Sequence, residues 1–340
     1  MTMQSPQEIV DLAIGGWKAQ VLFSAKELGI FDCIADEARP AEAIADKCQL
    51  EGEACARLLQ AATALGLLDC EAGSYRCSPA VRATLVEGCE ADLSALIMHV
   101  YRDVMPLWQQ LSDAVREGSN RWKQVTGSEE GHFQNLYRDP QALETFLGTM
   151  HGFNAETAMA VSQALDWRGD ERVLDVGGAT AVFGHVLLEH YPGIQVTLLD
   201  LPEVCDIAQR WIRDDYGKAD RMDTRAGDFL NEELPQGYDV IYLGWVLHDW
   251  DPETQVRLLE KCYRALAPGG RVVATECALA EDGNGPELTT LLSLDMLVST
   301  DGGRESTASE YRRRFEAAGF PSVEHVELPV MRDAFVAVKR

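Results

Sequence analysis

Basic side chains are scarce in this sequence. Lysine and arginine total 30 against 55 aspartates and glutamates, a formal net charge of −25. Nucleic acid and anionic membrane surfaces are bound mainly through lysine and arginine, so partners of both kinds are excluded. Long apolar runs are also missing, and no segment is predicted to cross a bilayer. The N-terminus, Met1 to Glu8, lacks the basic stretch and apolar core of a secretion signal. The nine cysteines, among them Cys33, Cys55, Cys205 and Cys277, contain no C-x-x-C pair, and an odd number leaves a disulfide framework incomplete. A reducing cytoplasm is the expected compartment. The seven histidines show neither H-x-H nor H-E-x-x-H spacing, so no metal site is expected. What is present is ordinary globular composition, 46% hydrophobic and 25% charged, in 340 residues, enough for two domains.

The chain is organised around Arg172-Val-Leu-Asp-Val-Gly-Gly-Ala-Thr-Ala181. The apolar run Val173 to Val176 predicts a buried strand, Gly177-Gly178 a turn, and Val182 to Leu188 a helix. Strand, glycine turn and helix bring backbone N–H groups close to a ligand. A second strand, Ile194 to Leu199, ends at Asp200, about 20 residues past the glycines, where an acidic side chain binds a ribose diol. These features predict a nucleoside-containing cofactor. Strands are predicted again before Gly227-Asp-Phe229, at Tyr238 to Gly244 and at Arg271 to Thr275 after Pro268-Gly-Gly270. A helix is predicted over Pro252 to Leu266. Ser322 to Leu328 and Ala334 to Val338 read as a closing strand pair.

Upstream, Gln7 to Leu28 has helical spacing weakened by Gly15-Gly16. A helix from Arg39, a second over Glu53 to Leu67, and a hairpin over Leu68 to Ser78 turning at Gly73 form a winged-helix pattern. The second helix carries one basic residue, Arg57, and is mostly Ala and Leu, so it reads as a packing element rather than a groove reader. Ala91 to Trp167 reads as helices rich in aromatics and methionine. Most of these side chains are expected in the core, and some are candidates to line a pocket.

Asp175-Val-Gly-Gly178, Asp200-Leu-Pro202, Gly227-Asp-Phe229, Trp245-Val-Leu-His-Asp-Trp250, Pro268-Gly-Gly270 and Gly302-Gly-Arg-Glu-Ser306 follow one another along the chain. In order and spacing the set resembles the small-molecule O-methyltransferases that use S-adenosylmethionine (SAM), the class I family of the caffeic acid and acetylserotonin enzymes. The resemblance covers nearly the whole chain. It implies an α/β fold: a Rossmann-like SAM-binding catalytic domain over 169–340, its parallel sheet closed by an antiparallel hairpin. It also implies a mainly helical, winged-helix-like dimerisation domain over 1–105 and a helical linker, 106–168, contributing to the acceptor pocket. The implied cofactor is SAM, leaving as S-adenosylhomocysteine (SAH); the implied partners are a small-molecule acceptor and a second copy of the chain. Gly177 and Gly178 are implied near the methionine part of SAM, Asp200 at its ribose, and Asp228 and Phe229 at its adenine. Asp175 and Leu201 join them as cofactor-binding residues. His248 matches the general base, and Glu276 and Glu305 match the acidic residues flanking it. Trp245 and Met296 match acceptor-lining positions, and Met150, Phe153 and Arg102 are further acceptor candidates.

The chemistry is coherent by itself. A phenol titrates at about 10 and an imidazole at about 6.5, so a neutral histidine can accept the proton as oxygen attacks a methyl group. A carboxylate on the other ring nitrogen sets the tautomer and steadies the imidazolium. Glu276, at the end of its strand, is expected to do this. His248 also reads as a capping or core histidine, Glu305 as a solvated loop charge, and Trp245 and Met296 as ordinary core.

Two departures stand out. The family's Gly-Gly-Gly-x-Gly is Gly177-Gly178-Ala179-Thr180-Ala181 here. The alanines add methyl groups and disfavour positive φ, so SAM binding is not assured by this turn, and a shifted loop is one way to keep it. Gly244 replaces the lysine usual in plant members. O-methylation is therefore the first reading. S-methylation of a small thioether carboxylate such as 4-methylthio-2-hydroxybutyrate is the second, with Arg102 or Arg304 as its cationic partner. A SAM-binding homologue with non-methylating chemistry, or a regulator, is the third.

Overall fold

The computed structural model describes residues 3–35, 37–89, 92–128, 137 and 140–340. The chain divides into two units, Met1–Asp103 and Val104–Arg340. Among the described residues no helix is long and apolar enough to cross a membrane.

In the N-terminal unit the expected first helix is two, Pro6–Ala13 and Gly15–Glu27. Ser5 and Glu8 form a capping box, with Pro6 opening the first turn. The break falls at Ile14, so the glycine pair begins the second helix instead of interrupting one. Helices Ala41–Cys48 and Gly52–Ala64 follow. The second turns Cys55, Leu59 and Ala62 into a core with Ile30, Phe31, Ile44 and Leu68. Its Arg57 pairs with Glu53 on the same helix. Strands β1 (Arg39–Pro40), β2 (Leu68–Glu71) and β3 (Ser74–Cys77) form an antiparallel sheet in the order β1-β3-β2. Ala72 and Gly73, with φ of 49° and 80°, make the two-residue hairpin loop that matches strand twist.

The helical reading from Ala91 to Trp167 begins outside the described residues and crosses 129–136, also outside them. Its described helices from Met105 onward, including Leu111–Glu117, Trp122–Thr126 and Pro140–Ala164, belong to the C-terminal unit. That unit is built on seven strands: β4 (Arg172–Val176), β5 (Gln195–Asp200), β6 (Met222–Ala226), β7 (Tyr238–Gly244), β8 (Leu266–Glu276), β11 (Val323–Val326) and β12 (Asp333–Val338). A separate parallel pair joins β9 (Ala278–Leu279) and β10 (Ser306–Thr307). The main sheet runs β11-β12-β8-β7-β4-β5-β6, parallel except for β12, which is antiparallel to both its neighbours. Apolar cores lie on both faces: Val173 joins Phe183, Leu187 and Val196, while Leu174 and Val176 join Ile241, Leu258 and Leu259. Burial on both faces is why these strands read as continuous apolar runs. Pro268-Gly-Gly270, expected ahead of its strand, lies inside β8, where pairing shifts register between Tyr238–Leu266 and Val240–Arg271.

The order reverses between β4's neighbours, β5 and β7. Ligands of open α/β sheets bind at such a switch point, beyond the carboxyl ends of the strands. Here those ends carry Gly177 after β4, Asp200 on β5, Trp245 after β7 and Glu276 on β8.

Candidate active site

The glycine turn is seated on a carboxylate. A Cβ on Gly178 would lie 2.5 Å from the Asp175 carboxylate, and one on Gly177 would lie 3.1 Å from Val246 and 3.6 Å from the Phe229 ring. Asp175 is buried, and its Oδ2 has no hydrogen-bond partner among the described residues. Burial, and then the Asp200 charge, pushes its carboxyl up to about 8. Asp200 accepts from Ala179 N at 3.1 Å and from Leu201 N at 2.8 Å. Burial outweighs those two bonds and raises it to about 6. Ala179 and Ala181 take φ of 51° and 61°, the left-handed conformation glycine usually supplies. The turn is braced between them: Tyr216 Oη donates to Thr180 O at 3.1 Å, and His151 Nδ1 lies 3.1 Å from Thr180 Oγ1.

His248 sits in a short 3-10 turn, Leu247–Asp249, beyond β7. It is buried, and its Nδ1 lies 2.9 Å from Glu305 Oε1. Its Nε2 lies 3.4 Å from Asp249 Oδ1. Burial lowers the imidazole's pKa, yet the Asp249, Glu305 and Glu276 carboxylates outweigh it and lift the value to about 9. Glu276, expected to orient the ring, instead accepts from Val246 N at 3.2 Å and Leu247 N at 2.8 Å. It holds the turn that carries His248, while Glu305 meets the ring. Glu305 is therefore no solvated loop charge. Its loop is stitched to the histidine turn: Arg304 N donates to His248 O at 2.8 Å, Gly302 bridges Trp250, and a Cβ on Gly303 would lie 2.5 Å from His248 O. Glycine is required there by the close approach of two backbones.

The other expected residues divide. Trp245 stacks on His248 at 4.9 Å, and Phe153 meets Trp245 edge-on at 5.7 Å. Phe229 stands beside Gly177, and Leu201 and Ala179 each pack against the cluster Leu143, Leu147, Val204 and Ile207. Met296 is buried on the helix Glu287–Ser299, and its carbonyl accepts from Thr300, which in turn accepts from Gly303 N at 3.0 Å. Met150 is half-buried on Pro140–Ala164. The Asp228 carboxylate, implied at an adenine, is taken up locally: it accepts from Leu230 N at 2.9 Å and Asn231 Nδ2 at 2.7 Å, and so shapes the loop after β6. Arg102 is an exposed residue of the N-terminal unit, 3.4 Å from Glu27. Arg304 is also exposed and lies 3.6 Å from Glu310. Both cations named for a thioether carboxylate thus face carboxylates of their own. Gly244 has a packing reason: a Cβ there would lie 2.6 Å from the Tyr242 ring.

Several site residues carried no sequence signal. Tyr137 packs against the buried cluster Leu143, Leu147, Val204 and Ile207, and burial followed by the Asp200 charge raises its pKa. His151, Tyr216 and Arg332 come from segments without a motif. Asp249 was legible only as the neighbour of His248.

Residues 108–321 match the family model of the O-methyltransferase domain, and residues 10–87 that of the O-methyltransferase dimerisation domain. The chain is 33% identical over 335 residues to the S-adenosyl-L-methionine-dependent methyl transferase PigF of Serratia sp., covering 98% of this chain and 96% of that one. It is 32% identical over 341 residues to acetylserotonin O-methyltransferase of Gallus gallus, covering 98% and 97%. Among solved structures, PigF with SAH superposes with a TM-score of 0.94 at 34% identity, covering 99% of this chain and all 100% of that one. Human N-acetylserotonin methyltransferase in complex with SAM gives 0.90 at 30%, covering 99% and 98%.

Proposed function

The chain belongs to the SAM-dependent small-molecule O-methyltransferases, and from that premise we propose that it transfers the methyl group of SAM to an oxygen of a small acceptor, with His248 taking the acceptor's proton. The observation that carries this reading is the buried His248–Glu305 pair, 2.9 Å apart, at the carboxyl edge of the sheet beside the glycine turn.

The residues present fit SAM. When bound, it supplies an electrophilic methyl group on a positively charged sulfur. Asp175 offers a buried carboxyl whose Oδ2 has no hydrogen-bond partner among the described residues, and a cationic group beside it favours the ionised form. Asp200, fixed by two backbone N–H groups, keeps lone pairs for a ribose diol. Gly177 and Gly178 let the turn close onto Val246 and the Asp175 carboxylate, where a Cβ would crowd them. A positive charge brought into this cleft opposes the imidazolium, so His248 becomes a readier base in the loaded enzyme than in the free one. Once His248 Nε2 holds the acceptor's proton, Glu305 on Nδ1 and Asp249 stabilise the cation.

The N-terminal unit is proposed to pair with a second copy. Its first two helices leave Ile9, Val10, Leu12 and Trp17 exposed, Trp17 at 73%, at the start of the matched dimerisation domain.

The test is turnover. The protein is incubated with SAM and a panel of phenols, hydroxy acids and thioethers, and SAH release and product mass are read. An O-methylated product is expected, lost in His248→Ala while calorimetric SAH binding persists. Undiminished turnover by His248→Ala removes the histidine as base, and methylation on sulfur alone overturns the oxygen acceptor.

A further inference from the structure

Arg332 is among the largest fully buried side chains, 1% exposed, in a unit whose chemistry so far makes no use of it. It stands one residue before β12, whose Asp333 pairs with Glu276, so Arg332 lies just past the carboxyl end of β8. Trp245 follows β7 directly, and its N–H donates to Thr275 O at 2.9 Å on the same edge. The antiparallel last strand therefore delivers a cation to the turn that carries His248. The guanidinium carbon sits 4.2 Å over the Trp245 ring. One of its nitrogens donates to Phe153 O at 2.7 Å and another to Asn154 Oδ1, which anchors the fork on the helix Pro140–Ala164.

Trp245 needs such support. Its φ is 60°, a conformation that a bulky L residue keeps only when its surroundings impose it. Its indole is stacked with the His248 imidazole, 13° from coplanar.

We propose that Arg332 is a positioning residue for His248: anchored on Phe153 and Asn154, it holds the Trp245 indole in its left-handed turn, and the indole sets the plane of the imidazole. Nδ1 of that imidazole is then directed at Glu305. A planar fork suits the task because it stacks on an aromatic face while donating in its own plane, which a lysine ammonium cannot do. The inference rests on His248 being the proton acceptor, and its test is made on the free enzyme so that the two can fail separately.

The readout is the His248 ring signals in heteronuclear NMR, assigned by their loss in His248→Ala. A stacked indole displaces those signals upfield through its ring current. Trp245→Leu is expected to remove most of the displacement. Arg332→Met is expected to remove much of it too, and the double variant to match Trp245→Leu, because the arginine acts through the indole. Asn154→Ala, which takes one anchor from the fork with little change in the core, is expected to act in the same direction and to a lesser extent. It carries the test if Arg332→Met does not fold. Unchanged His248 signals in Arg332→Met or Asn154→Ala overturn the proposal, and so do changes in the Arg332 and Trp245 variants that simply add. SAH binding should be retained in Asn154→Ala. Turnover by His248→Ala overturns the base assignment alone and leaves the geometric result standing.

Discussion

Replacing Asp249 by asparagine should make His248 a more available base at neutral pH, because the ring is less often protonated there. Burial pushes this imidazole down, but Asp249, Glu305 and Glu276 hold it at about 9. At that value the ring is neutral in roughly one molecule in a hundred at pH 7. The Asp249 carboxylate lies 3.4 Å from Nε2. A unit charge at such a distance is worth about 4 kcal/mol near a protein surface and about 1 kcal/mol in water. At about 1.36 kcal/mol per pKa unit, losing it should lower the histidine's pKa by about 1–3 units. A fall of about 2 units leaves about half the rings neutral at pH 7. Two measurements read this. The ring signals of His248 should titrate at a lower midpoint in Asp249→Asn, and the acid limb of kcat/KM, which reports the free enzyme, should move down with it. A midpoint that stays or rises in the variant refutes the electrostatic account.

Glu276 and Glu305 should fail differently. Glu276→Ala strands the N–H groups of Val246 and Leu247 and should lower unfolding stability by about 2–4 kcal/mol, whereas Glu305→Gln should hold stability and lose turnover; equal unfolding midpoints would contradict that division. Asp175 keeps its proton up to about 8 in the fold but releases it near 3.9 when unfolded, so the native state should lose stability as pH rises from about 4 to 8. Asp175→Asn should lack that slope, melt later at pH 8 and bind SAM less tightly, and parallel melting curves for the two proteins would count against the buried charge. Ala179→Gly should stabilise the chain by up to about 1 kcal/mol, because a left-handed L residue costs about 1–2 kcal/mol and glycine's extra chain entropy about 0.5–1. Ala181→Gly should be nearly neutral, since it also gives up a fully buried methyl group; denaturant melts of both variants decide the point.

The strands around the cofactor cleft were legible because each is buried on both faces, and that constraint writes itself into consecutive residues. Val173 to Val176, Ile194 to Leu199 and Tyr238 to Gly244 each fall within one residue of the observed β4, β5 and β7. Gly177-Gly178 and Asp200 follow from the same local logic, since a turn and the residue after a strand are set by near neighbours in sequence. What the residues of one segment meet in another is a different matter. Glu276 reads as the orienting acid because it ends a strand, but a carboxylate goes where unpaired donors are, and two backbone N–H groups lie within its reach. Glu305 reaches His248 only because Gly302 and Gly303 let its loop close onto that turn. Ala179 keeps a glycine's backbone with its N–H bonded to Asp200, which is seated on a different strand. Arg332 carries no motif at all; an antiparallel last strand brings it to Trp245. Local pattern determined the elements and the cofactor edge of this protein. The partners of His248, Glu276 and Glu305 were decided by tertiary closure, because hydrogen bonds and charges choose their partners in space.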